Sequence, residues 1–212
     1  APGANVWSMA NYMNLKLRHV DSTDMGGCSY LVNVAHAAEA IAAGKCNVAL
    51  ITLAGRPNSE GSTGTQVRDR GVNLPDAPYE MPYSPVTVNL YAMVAMRHMY
   101  EYGTTSEQLA WVKVAASHHA QHNPNAMLRN VVTVEEVVNS PLISDPLHRL
   151  DCCVVSDGGG SVIVARPEIA KSLKRPLVKI TGAGETTKGQ MGGEVDLSYS
   201  GAVWTGPRAF ES

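Results

Sequence analysis

An α/β fold class follows from three features of this 212-residue chain. Leu31, Val34, Ala35, Ala38, Ile41 and Ala42 recur at i, i+3, i+4, i+7, i+10 and i+11, the spacing of one helical face. Val48–Leu53 is continuously apolar and bounded by turn residues, as a buried strand is. Leu17–Val20 is a candidate strand ahead of the helix. Strand–helix–strand in that order predicts a parallel, buried sheet.

Each element has its own local reason. Asn5–Leu15 carries Val6, Met9, Ala10 and Met13 on one side, giving a short amphipathic helix. Asp21–Asp24 is a polar connection into Met25-Gly-Gly-Cys-Ser, where Gly26 and Gly27 allow a tight turn before the central helix. Gly44 is the natural stop of that helix. Arg56–Pro82 is rich in Gly, Pro, Asn, Asp and Ser and has no period, so it reads as a surface excursion. Ser84-Pro85 starts a helix that runs to Tyr102 before Gly103. Thr104-x-x-Glu107 reads as a capping box for a helix over about Ser106–His122, and Thr133-x-x-Glu136 as another for a short helix ending before Ser140-Pro141. Residues 56–150 are thus a mostly helical insertion between sheet segments. Ser161–Ala165 is a strand, Pro167–Leu173 a short helix, Leu177–Gly182 a further strand, and Ala202–Ser212 a helix.

Composition narrows the function classes. Hydrophobic residues make up 44% and charged ones 17%, as in an ordinary globular protein, and a net charge of −2 without a Lys/Arg cluster gives no nucleic-acid footprint. No apolar run reaches the length of a membrane span and no signal peptide opens the chain, so a cytoplasmic, non-membrane protein is expected. Cys28, Cys46, Cys152 and Cys153 show no CxxC spacing, which fits a reducing compartment. The chain opens Ala-Pro-Gly and closes inside a helical pattern, so a fragment is expected.

Cys28 is the first candidate for chemistry. It sits at a strand-to-helix elbow, where unpaired N–H groups and the helix dipole favour a thiolate, and a thiolate so placed attacks a carbonyl. Packing is the plainer reading of one such Cys. His36, two turns on, reads as a packed histidine, with a base for Cys28 the remoter alternative. His118, His119 and His122 cluster near a helix end; without a third ligand in view they read as surface histidines rather than zinc ligands. Cys152-Cys153 is either a vicinal redox pair or small packing residues. Gly61-Ser-Thr-Gly64 lacks the Lys of a phosphate loop, and Asp157-Gly-Gly-Gly160 is a turn rather than a dinucleotide fingerprint. No metal site is expected.

Gly26–Leu53 resembles the nucleophile segment of thiolases, and Leu150–Ala165 resembles their Ser-Asp-Gly segment. Asn123-Pro-Asn-Ala-x-x-Arg129 and Asp145-Pro-Leu-x-x-Leu-Asp-Cys-Cys153 are similar to the sterol-carrier-protein-type branch, often described as lipid-transfer protein or acetyl-CoA acetyltransferase. The resemblance implies two stacked βαβαβ halves in α/β/α/β/α layers with a loop domain inserted in the first, here only in part. Residues 1–55 then belong to the N-terminal half, 56–150 to the loop domain, 151–176 to the end of the N-terminal half, and 177–212 to the start of the C-terminal half. It implies C–C bond formation or cleavage beside a CoA thioester, with acyl-CoA as substrate, no separate cofactor, and a nucleophilic Cys. Counting back from Gly44, that position falls on Gly27, so Cys28 is one residue late. Two readings stay open. One is an acyltransferase using Cys28. The other is a nucleophile-less relative, either a retro-aldolase or an acyl-CoA-binding subunit, working with a small OB-fold partner. Gly27 and Cys153 are carried over as substrate-binding positions, and a homodimer or larger assembly is expected.

Overall fold

The computed structural model describes residues 6–61, 79, 81–83, 86–188 and 196–212. In chain order the elements are α1 (Val6–Tyr12), α2 (Ser29–Ala42), β1 (Val48–Gly55), α3 (Thr87–Tyr102) and α4 (Ser106–Ala120). They continue as α5 (Val134–Val138), β2 (Leu142–Ser144), β3 (Leu147–His148), β4 (Gly158–Ala165), α6 (Pro167–Lys171) and α7 (Ala202–Glu211). The mixture is α/β. Two compact units form, one from residues 1–56, 157–188 and 200–212, the other from 57–156 and 189–199.

In the first unit α2 packs against a two-stranded sheet. The strands pair antiparallel, β1 with β4, in register from Val48 opposite Ala165 to Gly55 opposite Gly158. This corrects the expected parallel sheet. Leu17–Val20 and Leu177–Gly182 are in no strand, because strand composition becomes a ladder only where a partner edge is offered. The sheet is not buried on both faces either: half-buried Ala49 and Ile51 alternate with exposed Val48 and Leu50. Asp157-Gly-Gly-Gly160 is not a turn, since its glycines already pair in β4. Gly159 lies so close to Ala54 that an added Cβ would stand 2.8 Å from the Ala54 Cβ.

The buried side of α2 is Val32, Ala37, Ala40 and Ile41, whereas Leu31 is 63% exposed. The apolar period groups Leu31 with Ile41 on one helical face, yet of the two only Ile41 is buried. An alanine-rich helix is apolar over much of its circumference, so period alone does not fix the packed side.

The stretch after α6 meets α7 by glycine contact. A Cβ at Gly182 would collide with the Ala209 carbonyl, and one at Gly184 would come within 2.5 Å of the Thr205 carbonyl oxygen. Gly182 and Gly184 therefore let the extended chain lie directly on the helix backbone. That contact takes the place of the expected strand.

The second unit is mostly helical with a small β2–β3 hairpin. Its centre is Ala110 and Val114 of α4 with Val137 of α5, the first and last fully buried. Ser117 Oγ donates to the Val114 carbonyl at 2.7 Å and accepts from Val132 N at 3.2 Å, tying α4 to the chain entering α5. The Thr133–Glu136 capping box forms as the sequence predicts. The first box forms one residue later than expected, between Thr105 and Gln108, because Thr104 Oγ1 instead pairs with His98 Nδ1 at 2.9 Å. The Ser84-Pro85 start of α3 lies outside the described residues.

Candidate active-site elbow

The turn ahead of α2 is fixed by short-range hydrogen bonds. Asp24 Oδ1 accepts from Gly26 N at 3.1 Å, and Ser29 Oγ accepts from Met25 N at 2.8 Å. The same Ser29 hydroxyl donates to the Gly26 carbonyl at 2.7 Å. Gly26 has φ +75°, a left-handed conformation that L side chains rarely adopt. Gly27 has no such constraint, and a Cβ there would meet open space.

Cys28 is the N-cap residue of α2, and its side chain makes no capping bond. Its exposed thiol turns back and donates to the Met25 carbonyl at 3.4 Å. Gly27 and Cys28 are thus neighbours on an exposed, hydrogen-bonded turn at a helix N-terminus, an arrangement suited to an incoming carbonyl or anion.

His36 does not serve Cys28. Its Nδ1 lies 2.8 Å from Asp21 Oδ2 and its Nε2 lies 3.3 Å from Glu185 Oε2, so both ring nitrogens are engaged. Burial pulls its pKa down, but the hydrogen bond and charge of Asp21, followed by those of Glu185, outweigh this and hold it above the ordinary imidazole value. The sequence did not single out Asp21 or Glu185 as His36 partners. The Gly182/Gly184 alternation was the available sign that residues 182–186 approach another element closely.

Cys153 belongs to the other compact unit, where it is exposed beside half-buried Cys152. Both thiols are free. Burial raises the Cys152 pKa, and the nearby charges of Asp151 and Cys153 add to the shift. His118 and His119 lie exposed in the last turn of α4, with His122 just beyond it. Among the described residues no group of three His, Cys, Asp or Glu side chains is placed to hold a metal ion. Of the Gly61–Gly64 motif, residues 62–64 lie outside the described set.

No family model matches the chain. Over 96 residues, 45% of the chain, it is 47% identical to an acetyl-CoA acetyltransferase of Methanothermobacter thermautotrophicus, covering 25% of that protein. Over 177 residues, 80% of the chain, it is 34% identical to a steroid side-chain-cleaving aldolase of Thermomonospora curvata, covering 45% of that protein. A solved Ltp2-ChsH2(DUF35) aldolase superposes with a TM-score of 0.75 at 31% identity, over 88% of this chain and 49% of that one. The chain spans less than half the length of these relatives. With acetyl-CoA acetyltransferases, a CoA thiolase subunit, aldolases and sterol carrier protein 2 all among its relatives, the chain belongs to the thiolase superfamily.

Proposed function

We propose that this chain contributes the elbow of a thiolase-like aldolase, which cleaves a β-hydroxyacyl-CoA without forming a cysteine acyl-enzyme. In that reaction a base takes the β-hydroxyl proton and the Cα–Cβ bond breaks. The electron pair passes to the α-carbon as a thioester enolate, which is then protonated. The N-terminal amides of α2 are suited to the enolate oxygen. The observation that carries the reading is the elbow itself. Glycine occupies position 27, to which the family resemblance assigns the nucleophile, and the next thiol is turned onto the Met25 carbonyl. The aldolases among the relatives, which match 80% and 88% of the chain, support it.

The rest of the assignment follows the same reading. Acyl-CoA is the substrate, with no separate cofactor. Gly27 and Cys153 are the substrate-binding positions that the family resemblance assigns. Residues 56–150 form the inserted loop domain between 1–55 and 151–176, with 177–212 opening the second half of the layered fold. A small OB-fold protein is the partner; the structural neighbour is itself a complex of Ltp2 with a DUF35 protein. The protein works in the cytoplasm as a homodimer. One observation favours the second reading, acyl transfer through Cys28: its thiol is exposed at a helix N-terminus, and the acetyltransferase relative is 47% identical over its matched segment.

Intact mass after incubation with acetyl-CoA separates the two. The expected result is no acyl increment on the wild-type chain and a new one in Gly27→Cys, whose side chain has room to form. An increment on the wild type that disappears in Cys28→Ala would establish the transferase instead.

A further inference from the structure

The Asp21–His36–Glu185 cluster joins three segments of the first unit. Asp21 stands in the connection into the elbow, His36 on α2, and Glu185 in the glycine-bearing stretch that lies on α7. Glu185 is held at both ends, because its backbone carbonyl accepts from Arg208 Nη1 of α7 at 3.0 Å while its carboxylate meets the His36 ring. Ala183 N donates to Ser212 Oγ at 3.1 Å, so this stretch is also bonded to the end of α7. The imidazole thus ties α2 to the stretch that lies on α7.

Two carboxylates on one imidazole need two N–H donors, and only the protonated ring has both. The neutral ring keeps one N–H, and its other nitrogen presents a lone pair that repels a carboxylate. Among the described residues, the elements packed on α2 place no other charge to relieve this. The strands packed on α2, Val48–Gly55 and Gly158–Ala165, carry no ionisable side chain. On α2 itself the others are Tyr30 and Glu39, and on α7 Arg208 is on the Glu185 carbonyl and Glu211 is acidic.

We propose that Asp21–His36–Glu185 is a proton-operated tie: the protonated ring clamps the 182–188 stretch to α2, and deprotonation releases Glu185 while Asp21 stays bound. Glu185 is the partner that leaves. Its contact is the longer, 3.3 against 2.8 Å, and its side chain is the more exposed, 52% against 41%, so water readily replaces the ring. The two carboxylates hold the His36 pKa above the ordinary value of about 6.5, so the tie is complete below that pH and is lost as pH rises through the raised value. The elbow side, anchored through Asp21, keeps its bond throughout.

The test is an NMR titration of the full chain from about pH 5.5 to about pH 9, reading His36 ring nitrogens and amide exchange over residues 183–186. Above the titration the neutral ring is expected to carry its proton on Nδ1. Exchange over 183–186, corrected for its intrinsic pH dependence, is expected to rise about two- to fivefold with the same midpoint. Glu185→Gln, an exposed change, is expected to abolish that rise, and His36→Gln to show the faster exchange at every pH. A neutral ring protonated on Nε2 would overturn the proposal. So would exchange that stays flat through the titration, or a rise that survives in Glu185→Gln.

Discussion

Gly26 and Gly27 stand side by side in the elbow, yet the backbone uses them differently. Gly26 occupies the left-handed region at φ +75°, and its N–H and carbonyl are both bonded, to Asp24 and Ser29. An alanine there is expected to cost about 1–2 kcal/mol in chemical denaturation. At Gly27 an added Cβ meets nothing, so Gly27→Ala is expected to stay within about 0.5 kcal/mol of wild type. A loss of stability at 27 equal to that at 26 would mean that both glycines are needed by the turn. If Gly27→Ala folds normally but loses acyl-CoA binding in calorimetry, position 27 serves the substrate. The glycine pair was legible in the sequence. Which member the backbone requires was not, because that depends on a dihedral angle set by Asp24 and Ser29.

Helix starts are the elements most directly encoded here. Thr133 Oγ1 accepts from Glu136 N at 3.2 Å, and Glu136 Oε2 accepts from Thr133 N at 2.7 Å. These bonds are made within four consecutive residues, so the sequence alone specifies them. Thr133→Ala is expected to lower stability by about 1 kcal/mol, read as a shift of the urea midpoint at constant slope. For α4 the effect is expected at Thr105 rather than Thr104, since Thr105 Oγ1 accepts from Gln108 N. A larger loss in Thr104→Ala than in Thr105→Ala would contradict the observed cap. The one-residue slip has a physical cause: two adjacent threonines offer equivalent caps, and His98, a turn upstream, takes the first.

At the scale of the molecule, the sheet of the first unit has two strands, and Leu50, Val162 and Ile163 on it are each more than 40% exposed. A two-stranded ribbon is marginal without further cover, which supports the proposed self-association. Light scattering at micromolar concentration is expected to give at least a dimer mass; a monomer would remove the homodimer from the assignment. Among the described residues no helix is long and apolar enough to cross a membrane.

The sequence by itself determined α2 and its glycine turn, the two apolar strands, the Thr133 cap and the family. All of these rest on residues near one another in the chain or on motif order. Tertiary structure decided the rest. It set the antiparallel pairing of segments about a hundred residues apart, turned α2 by its non-periodic contacts, laid Gly182 and Gly184 on α7, and brought Asp21 and Glu185 to the two nitrogens of His36. Local propensity is read from a few residues. Register, helix rotation and charge clusters are fixed only when distant segments compete for the same partner.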